Sequence, residues 1–251
     1  RMVEAAKESG KKLSIGYQSR SQAEAIHAKK YIEDGNLGEI YYANCYAVRR
    51  RGTPNWGVFL NEEEQGGGPV LDIATHSLDL TLYLMNNYEP KMVVGKTHKK
   101  LEHPEDGNAW GDNGVSTTPL EESACAFILM KNGATILLET AWALNHDKAH
   151  DAASCRLCGS REGLSILDDK LVINKVRYGH MVEEYVNTSN AGVDFFTGNS
   201  SDCCEVDARQ WIHAIVHDTD PVVLPEQAFV VSQILEAIYT SSATGKPVYF
   251  D

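Results

Sequence analysis

Apolar residues recur along this chain with two different periods, and the switch between them organises it. Residues 2–9, MVEAAKES, carry helical spacing closed by Gly10, a natural helix stop. KKLSIGYQ, residues 11–18, then reads as a short strand, so the opening predicts the helix and strand that end a parallel α/β domain. Residues 22–34, QAEAIHAKKYIED, predict an amphipathic helix with Ala25, Ile26, Ala28 and Ile32 turned inward. Asn36-Leu37-Gly38 turns the chain into EIYYANCYAVRR, a long strand rich in aromatic and β-branched residues. GGGPVLDIATHSLDLTLYLM, residues 66–85, predicts one long helix.

Beyond that helix the period shortens. KMVVGKTHKKL, SACAFILMKNG, ATILLETAWAL, ASCRLCG, GLSILDD and KLVINKVRYG are strand-like, with Asn132-Gly133 and Asp168-Asp169 placed at hairpin reversals. Two helices close the pattern, 203–217 before Pro221 and 225–243 before Gly245 and Pro247. The polar stretches 103–118 and 187–201 read as loops. This succession predicts an α+β fold: an open, mostly antiparallel sheet with helices on one face. The uncovered apolar face predicts a homodimer or homotetramer assembled through it.

Composition narrows the partners. A net charge of −12 disfavours a nucleic-acid surface, which needs clustered Lys and Arg. No apolar run reaches the roughly 18–20 residues of a membrane-spanning helix, so no membrane partner is expected. The six cysteines, Cys45, Cys125, Cys155, Cys158, Cys203 and Cys204, are scattered and read as reduced thiols of a cytoplasmic protein. The chain opens on Arg1 in mid-helix, which predicts a piece of a longer protein. The basic cluster Arg49-Arg50-Arg51 reads either as a solvated strand end or as a contact for an anionic or polyhydroxyl ligand.

The candidate chemistry lies in the central helix. At roughly 100° per residue, Asp72, His76, Asp79 and Tyr83 fall on one narrow stripe. From Gly66 to Met85 there is no Lys, Arg or Glu to furnish a solvated face, so the stripe suits a polar cleft. Asp72 and His76 are helical neighbours, and the carboxylate is expected to raise the proton affinity of the imidazole. Such a pair fits removal of a hydroxyl proton from an oriented secondary alcohol. His146-x3-His150 ahead of Cys155-x2-Cys158 looks superficially like a zinc site. Cysteines three apart on a strand face opposite ways, so no metal is expected. Cys203-Cys204 opens a helix, and His213 and His217 fall on a solvated face of it.

Through MVEAAKESGKKLSIGYQSR, YIEDGNLGEIYYANC, the 66–85 tract, NGATILLETAW, GSREGLSIL and LPEQAFVVSQILEAIYTSSATGKPV, the chain resembles the C-terminal part of the GFO/IDH/MocA family of NAD(P)-dependent oxidoreductases, which act on sugars, cyclitols and their derivatives. The resemblance implies a dihydrodipicolinate-reductase-like domain over residues 19–251 for substrate binding and oligomerisation, with 1–18 the remnant of a Rossmann-like nucleotide domain. It implies that Asp72 and His76 are catalytic, facing the nicotinamide and the substrate hydroxyl. It sets Arg20, Arg51, Trp56 and His146 on the side of a sugar or polyol substrate. The family's glycine-rich phosphate loop and its Glu-Lys-Pro segment with a catalytic Lys do not occur here. The cofactor, NAD or NADP, is therefore expected to be held mostly outside this chain, which alone is expected to be inactive. Two alternatives stay open, a non-catalytic binding or regulatory member and a hydrolase or lyase working with a retained NAD.

Overall fold

Strand β1, Ile40–Val48, runs through the middle of a nine-stranded sheet. The computed structural model describes residues 1–101, 103, 107–112, 117–147, 150–188 and 202–251. The other strands are β2 (Pro90–His98), β3 (Ser123–Met130), β4 (Thr135–Ala141), β5 (His150–Gly159), β6 (Gly163–Leu167), β7 (Lys170–Arg177), β8 (His180–Val186) and β9 (Val248–Tyr249). Their order across the sheet is β8-β7-β6-β5-β1-β4-β3-β2-β9. β1 and β4 are parallel, and the remaining pairs are antiparallel. The sheet is thus mostly antiparallel, with one parallel pair at its centre.

The two faces differ by register. Gly95, Ala126, Leu138, Cys45, Cys155, Ile166 and Leu171 stand side by side and are buried. Helices α2 (Ala23–Glu33), α5 (Ala74–Met85) and α7 (Pro225–Thr244) pack on that face, α5 over β1 and β5, α7 over β2. Small residues in the row let the helices lie close. A Cβ on Gly95 would meet Ile238 of α7 at 2.8 Å. One residue along, Val94, Phe127, Leu137 and Asn44 form the corresponding row of the open face.

The remaining helices are α1 (Met2–Ser9), α3 (Glu62–Gln65), α4 (Pro69–Asp72) and α6 (Cys203–Val216). The predicted hairpins form, Asp168 and Asp169 both taking positive φ (52° and 57°), the geometry of a two-residue turn. Several features depart from the sequence reading, the short α3 and β9 among them. KKLSIGYQ runs without a ladder partner among the described residues, and Ser14 instead bonds the Val223 carbonyl at 3.0 Å. Strand β8 was not foreseen, since exposed side chains such as Met181, Glu183 and Tyr185 give it no clean apolar face. The predicted 66–85 helix is two helices, broken at Ile73. Within the two predicted loops, residues 104–106, 113–116 and 189–201 lie outside the described residues.

The break has a local cause. The start of α4 is fixed by the buried Glu121 carboxylate, which accepts from the Gly68 N–H at 3.0 Å and the Val70 N–H at 3.3 Å. Tyr239 of α7 donates to the same carboxylate at 2.7 Å. Backbones meet so closely here that a Cβ on Gly68 would lie 2.3 Å from the Glu121 carbonyl, and one on Gly67 would lie 2.2 Å from the Tyr239 hydroxyl. Ile73 is then drawn into a separate small cluster with Ala47, Leu120 and Trp142. The glycine triplet is therefore a packing device for the mount of α4.

Candidate active site

β1 and β4 run parallel, so Arg49 and Trp142, each the first residue beyond its strand, emerge together at the carboxyl ends of the pair. Asp72, the last residue of α4, sits against both. The buried Trp142 indole donates to its Oδ2 at 2.7 Å, and the Arg49 guanidinium lies 3.9 Å from the same oxygen. A carboxylate held this way has its rotamer fixed by a rigid neighbour rather than by solvent.

His76 follows in the first turn of α5. Its ring is half-buried, meets Tyr17 edge-on with centroids 6.1 Å apart, and leaves Nδ1 out of solvent with no hydrogen bond. The Tyr17 hydroxyl is within 2.9 Å of the Thr75 hydroxyl, which fixes the aromatic wall. Burial lowers the proton affinity of His76 below the ordinary histidine value, the Asp72 carboxylate partly opposes this, and the Arg49 cation adds to it. The sequence-based expectation that Asp72 raises the proton affinity holds for the carboxylate's own contribution but not for the net direction. The carboxylate does push upward, but desolvation outweighs it. The imidazole is neutral near neutral pH.

The other stripe members part company with this pair. Asp79 is fully buried, held by Arg20 through Nε to Oδ2 at 2.9 Å and Nη2 to Oδ1 at 2.6 Å. Arg20 also donates through Nη1 to the Val222 carbonyl (2.9 Å) and Gln227 Oε1 (2.7 Å), and through Nη2 to the Tyr88 hydroxyl (3.3 Å). A guanidinium has five N–H donors, and these contacts engage them all. With 1% of its side chain exposed, Arg20 has no donor left for a substrate, and its bonds join the turn Gln18–Ser21 to α5.

Arg51 lines a groove of about 550 Å³ together with Arg49, Arg50, Gly52, Trp110 and Asn145. Its Nη2 donates to Asn145 Oδ1 at 2.6 Å. Trp56 stands beside Trp110, ring centroids 5.3 Å apart. His146 follows Asn145 but does not line the groove; its Nδ1 is 3.3 Å from Asp147. The zinc-like quartet does not converge. His150 faces Asp168 at 3.3 Å, Cys155 is buried opposite Cys45, and Cys158 lies on the other side of the strand. Burial pushes both the Cys45 and the Cys155 thiols up to about 12, so they are inert. Asp202, Cys203 and Cys204 bring ligand atoms together at the start of α6, far along the chain from the Asp72 pair.

Trp142, Tyr17 and Trp110 are the site residues that sequence reasoning missed, and Arg49, read there only within the 49–51 cluster as a possible ligand contact, was not foreseen beside Asp72. The available signal was that Arg49 and Trp142 each end a strand, but only the parallel pairing of those strands makes them neighbours.

A family model describing the GFO/IDH/MocA C-terminal domain matches residues 25–165. The chain belongs to the GFO/IDH/MocA family. It is 27% identical to the D-glucoside 3-dehydrogenase of Escherichia coli K12, over 98% of this chain and 67% of that protein. Among solved structures it resembles aldose-aldose oxidoreductase from Caulobacter crescentus complexed with glycerol, with a TM-score of 0.76 at 22% identity, over 99% of this chain and 67% of that one. It also resembles levoglucosan dehydrogenase in complex with NADH and L-sorbose, with a TM-score of 0.80 at 18% identity, over 100% of this chain and 69% of that one. The chain spans about two thirds of the length of each.

Proposed function

We propose that this chain is the substrate-binding part of a nicotinamide-dependent oxidoreductase acting on a secondary hydroxyl of a sugar, cyclitol or derivative. In this reading residues 1–18 belong with a nucleotide-binding domain, and 19–251 form the substrate and assembly domain. One observation carries it: a neutral imidazole with an unmet buried ring nitrogen stands beside a carboxylate fixed by an indole, at the carboxyl ends of the central parallel strands. The names of the relatives, sugar and glucoside oxidoreductases with NADH among their ligands, support it.

The buried, unpartnered Nδ1 and the Tyr17 wall fit a site that a further group completes, and Tyr17, Asp72 and His76 would face NAD or NADP there. The nicotinamide, when bound, supplies the hydride acceptor. The residues of this chain manage the proton. His76, neutral at working pH, takes the hydroxyl proton as the carbon is oxidised. Asp72 stabilises the resulting imidazolium and orients the substrate, since Trp142 leaves its carboxylate no freedom to turn away. Arg51 and Asn145 offer hydrogen bonds to the remainder of a polyol, with Trp56 and His146 at the rim.

A panel assay of the complete protein with sugars, cyclitols and glycosides plus NAD or NADP tests the reading, reduced nicotinamide being the expected product. Turnover without net reduction would point to a hydrolase or lyase, and no turnover at all to a binding subunit. The pH profile adds a sharper check. The base must be unprotonated, so kcat/KM falls on the acid side through a pKa below the ordinary histidine value. Asp72→Asn removes the contribution that raises this pKa and moves the acid limb lower, whereas Arg49→Gln removes a contribution that lowers it and moves the limb higher.

The open sheet face is the proposed assembly surface for a homodimer or homotetramer. Val94 and Leu137 are each 39% exposed and flank Phe127 in a groove of about 490 Å³. Light scattering should report an oligomer that Leu137→Glu shifts toward monomer. A monomeric parent would remove the assembly proposal. The setting proposed is the cytoplasm, in keeping with six cysteines held as thiols, and no described helix is long and apolar enough to cross a membrane.

A further inference from the structure

Two indoles stand in the open at the rim of the arginine groove. Trp56 is 52% exposed and Trp110 is 41% exposed, with their planes at 67° to one another. A loose surface loop would turn such large apolar rings inward. The two segments that carry them are pinned to each other. The Asn108 amide closes a two-way bond with Thr53, accepting from its N–H at 3.0 Å and donating to its carbonyl at 2.8 Å. Asn55 donates to the Trp110 carbonyl at 2.7 Å, and the Ala109 N–H donates to the Arg51 carbonyl at 3.0 Å. Gly111, at φ 109°, leaves the space that the Asn55 amide occupies; a Cβ there would meet it at 2.8 Å. The exposed rings are therefore held in place.

The platform is joined to the reacting end through one side chain. The Arg49 guanidinium carbon lies 5.0 Å from the centroid of the Trp110 ring, and its Nη1 lies 3.9 Å from Asp72 Oδ2. The groove beside the rings has a volume within the roughly 300–1,000 Å³ of small-molecule sites and is walled by Arg50, Arg51 and Asn145. Flat indole faces pack against the C–H face of a pyranose, while guanidinium and amide groups bond its hydroxyls.

We propose that Trp110, with Trp56, Arg51 and Asn145, forms a subsite for a second sugar ring, so that the preferred substrate is a glycoside: the reacting ring lies at His76 and the glycosidic substituent on the indoles. This deepens the dehydrogenase reading and rests on it. Trp110 is then a specificity-determining residue.

The test compares glucose and cellobiose as substrates of the complete protein, wild type against Trp110→Ala and Trp110→Phe. The expected result is that Trp110→Ala raises the ratio of the cellobiose KM to the glucose KM about tenfold with kcat little changed, and that Trp110→Phe restores most of the difference. A ratio unchanged within twofold overturns the subsite, as does an equal loss on both sugars. Calorimetric titration of the same variants with both sugars separates the two readings. If neither sugar is oxidised, the dehydrogenase reading is decided by the wider panel of sugars and cyclitols. The subsite then stands only if wild-type protein binds cellobiose more tightly than glucose and Trp110→Ala abolishes that preference.

Discussion

Replacing His76 with Ala in the complete protein lowers turnover by about two to four powers of ten, the scale of a positioned acid–base group. The loss falls mainly on kcat, because the imidazole works on the proton as the hydroxyl is oxidised rather than on ground-state binding. The fold should survive. His76 lies in the first turn of α5, its Nδ1 has no bond to lose, and its ring meets the Tyr17 ring edge-on. Thermal unfolding within a few degrees of the parent would show that the lost rate is chemical. The acid limb of the pH profile should vanish with the imidazole. Near-normal turnover with the limb intact would remove His76 from the mechanism and leave Asp72 as the base to examine next.

What the sequence made legible is what one helical turn or one strand contains. Asp72 and His76 are four residues apart, and the absence of Lys, Arg and Glu around them marked their stripe as something other than a solvated face. Strands β1 to β7 announced themselves by period, and two hairpin turns by their residues. The structure's additions are contacts of long range. The indole that fixes Asp72 comes from a residue 70 positions later. Arg49 reaches the same oxygen because β1 and β4, separated by two other strands in the chain, lie parallel and adjacent. Asp79 looked like a third member of the stripe, since a helical wheel records direction but not what docks there. The turn Gln18–Ser21 covers that portion of α5 and converts its carboxylate into a strut. The kink at Ile73 was hidden for a similar reason, being imposed by Glu121 and the Trp142 cluster rather than by a breaker in the helix itself.

Asp79→Asn is expected to destabilise this chain by about 3–5 kcal/mol, the usual cost of leaving one partner of a buried ion pair uncompensated. Burial lifts the Asp79 carboxyl, and the Arg20 guanidinium pulls it back down. The two partners are unequal in what they do when left alone. A stranded Asp79 takes up a proton and sheds its charge, whereas a stranded Arg20 cannot discharge in the protein. Arg20→Met should therefore cost less than Asp79→Asn, even though it removes more hydrogen bonds. For a chain of this size the larger loss corresponds to a fall in Tm on the order of 6–20 °C. Combining Arg20→Met with Asp79→Leu should recover much of it, since a buried pair replaced by apolar groups of similar volume is often close to neutral. Chemical denaturation of the two single variants and the double variant measures the coupling directly. Additive losses would mean that the two side chains are not acting as one unit. The same variants also bear on function. If Arg20 only locks the Gln18–Ser21 turn to α5, activity per folded molecule should follow the placement of the neighbouring Tyr17, with the sugar KM little altered. A selective rise in that KM at full stability would return Arg20 to the substrate side.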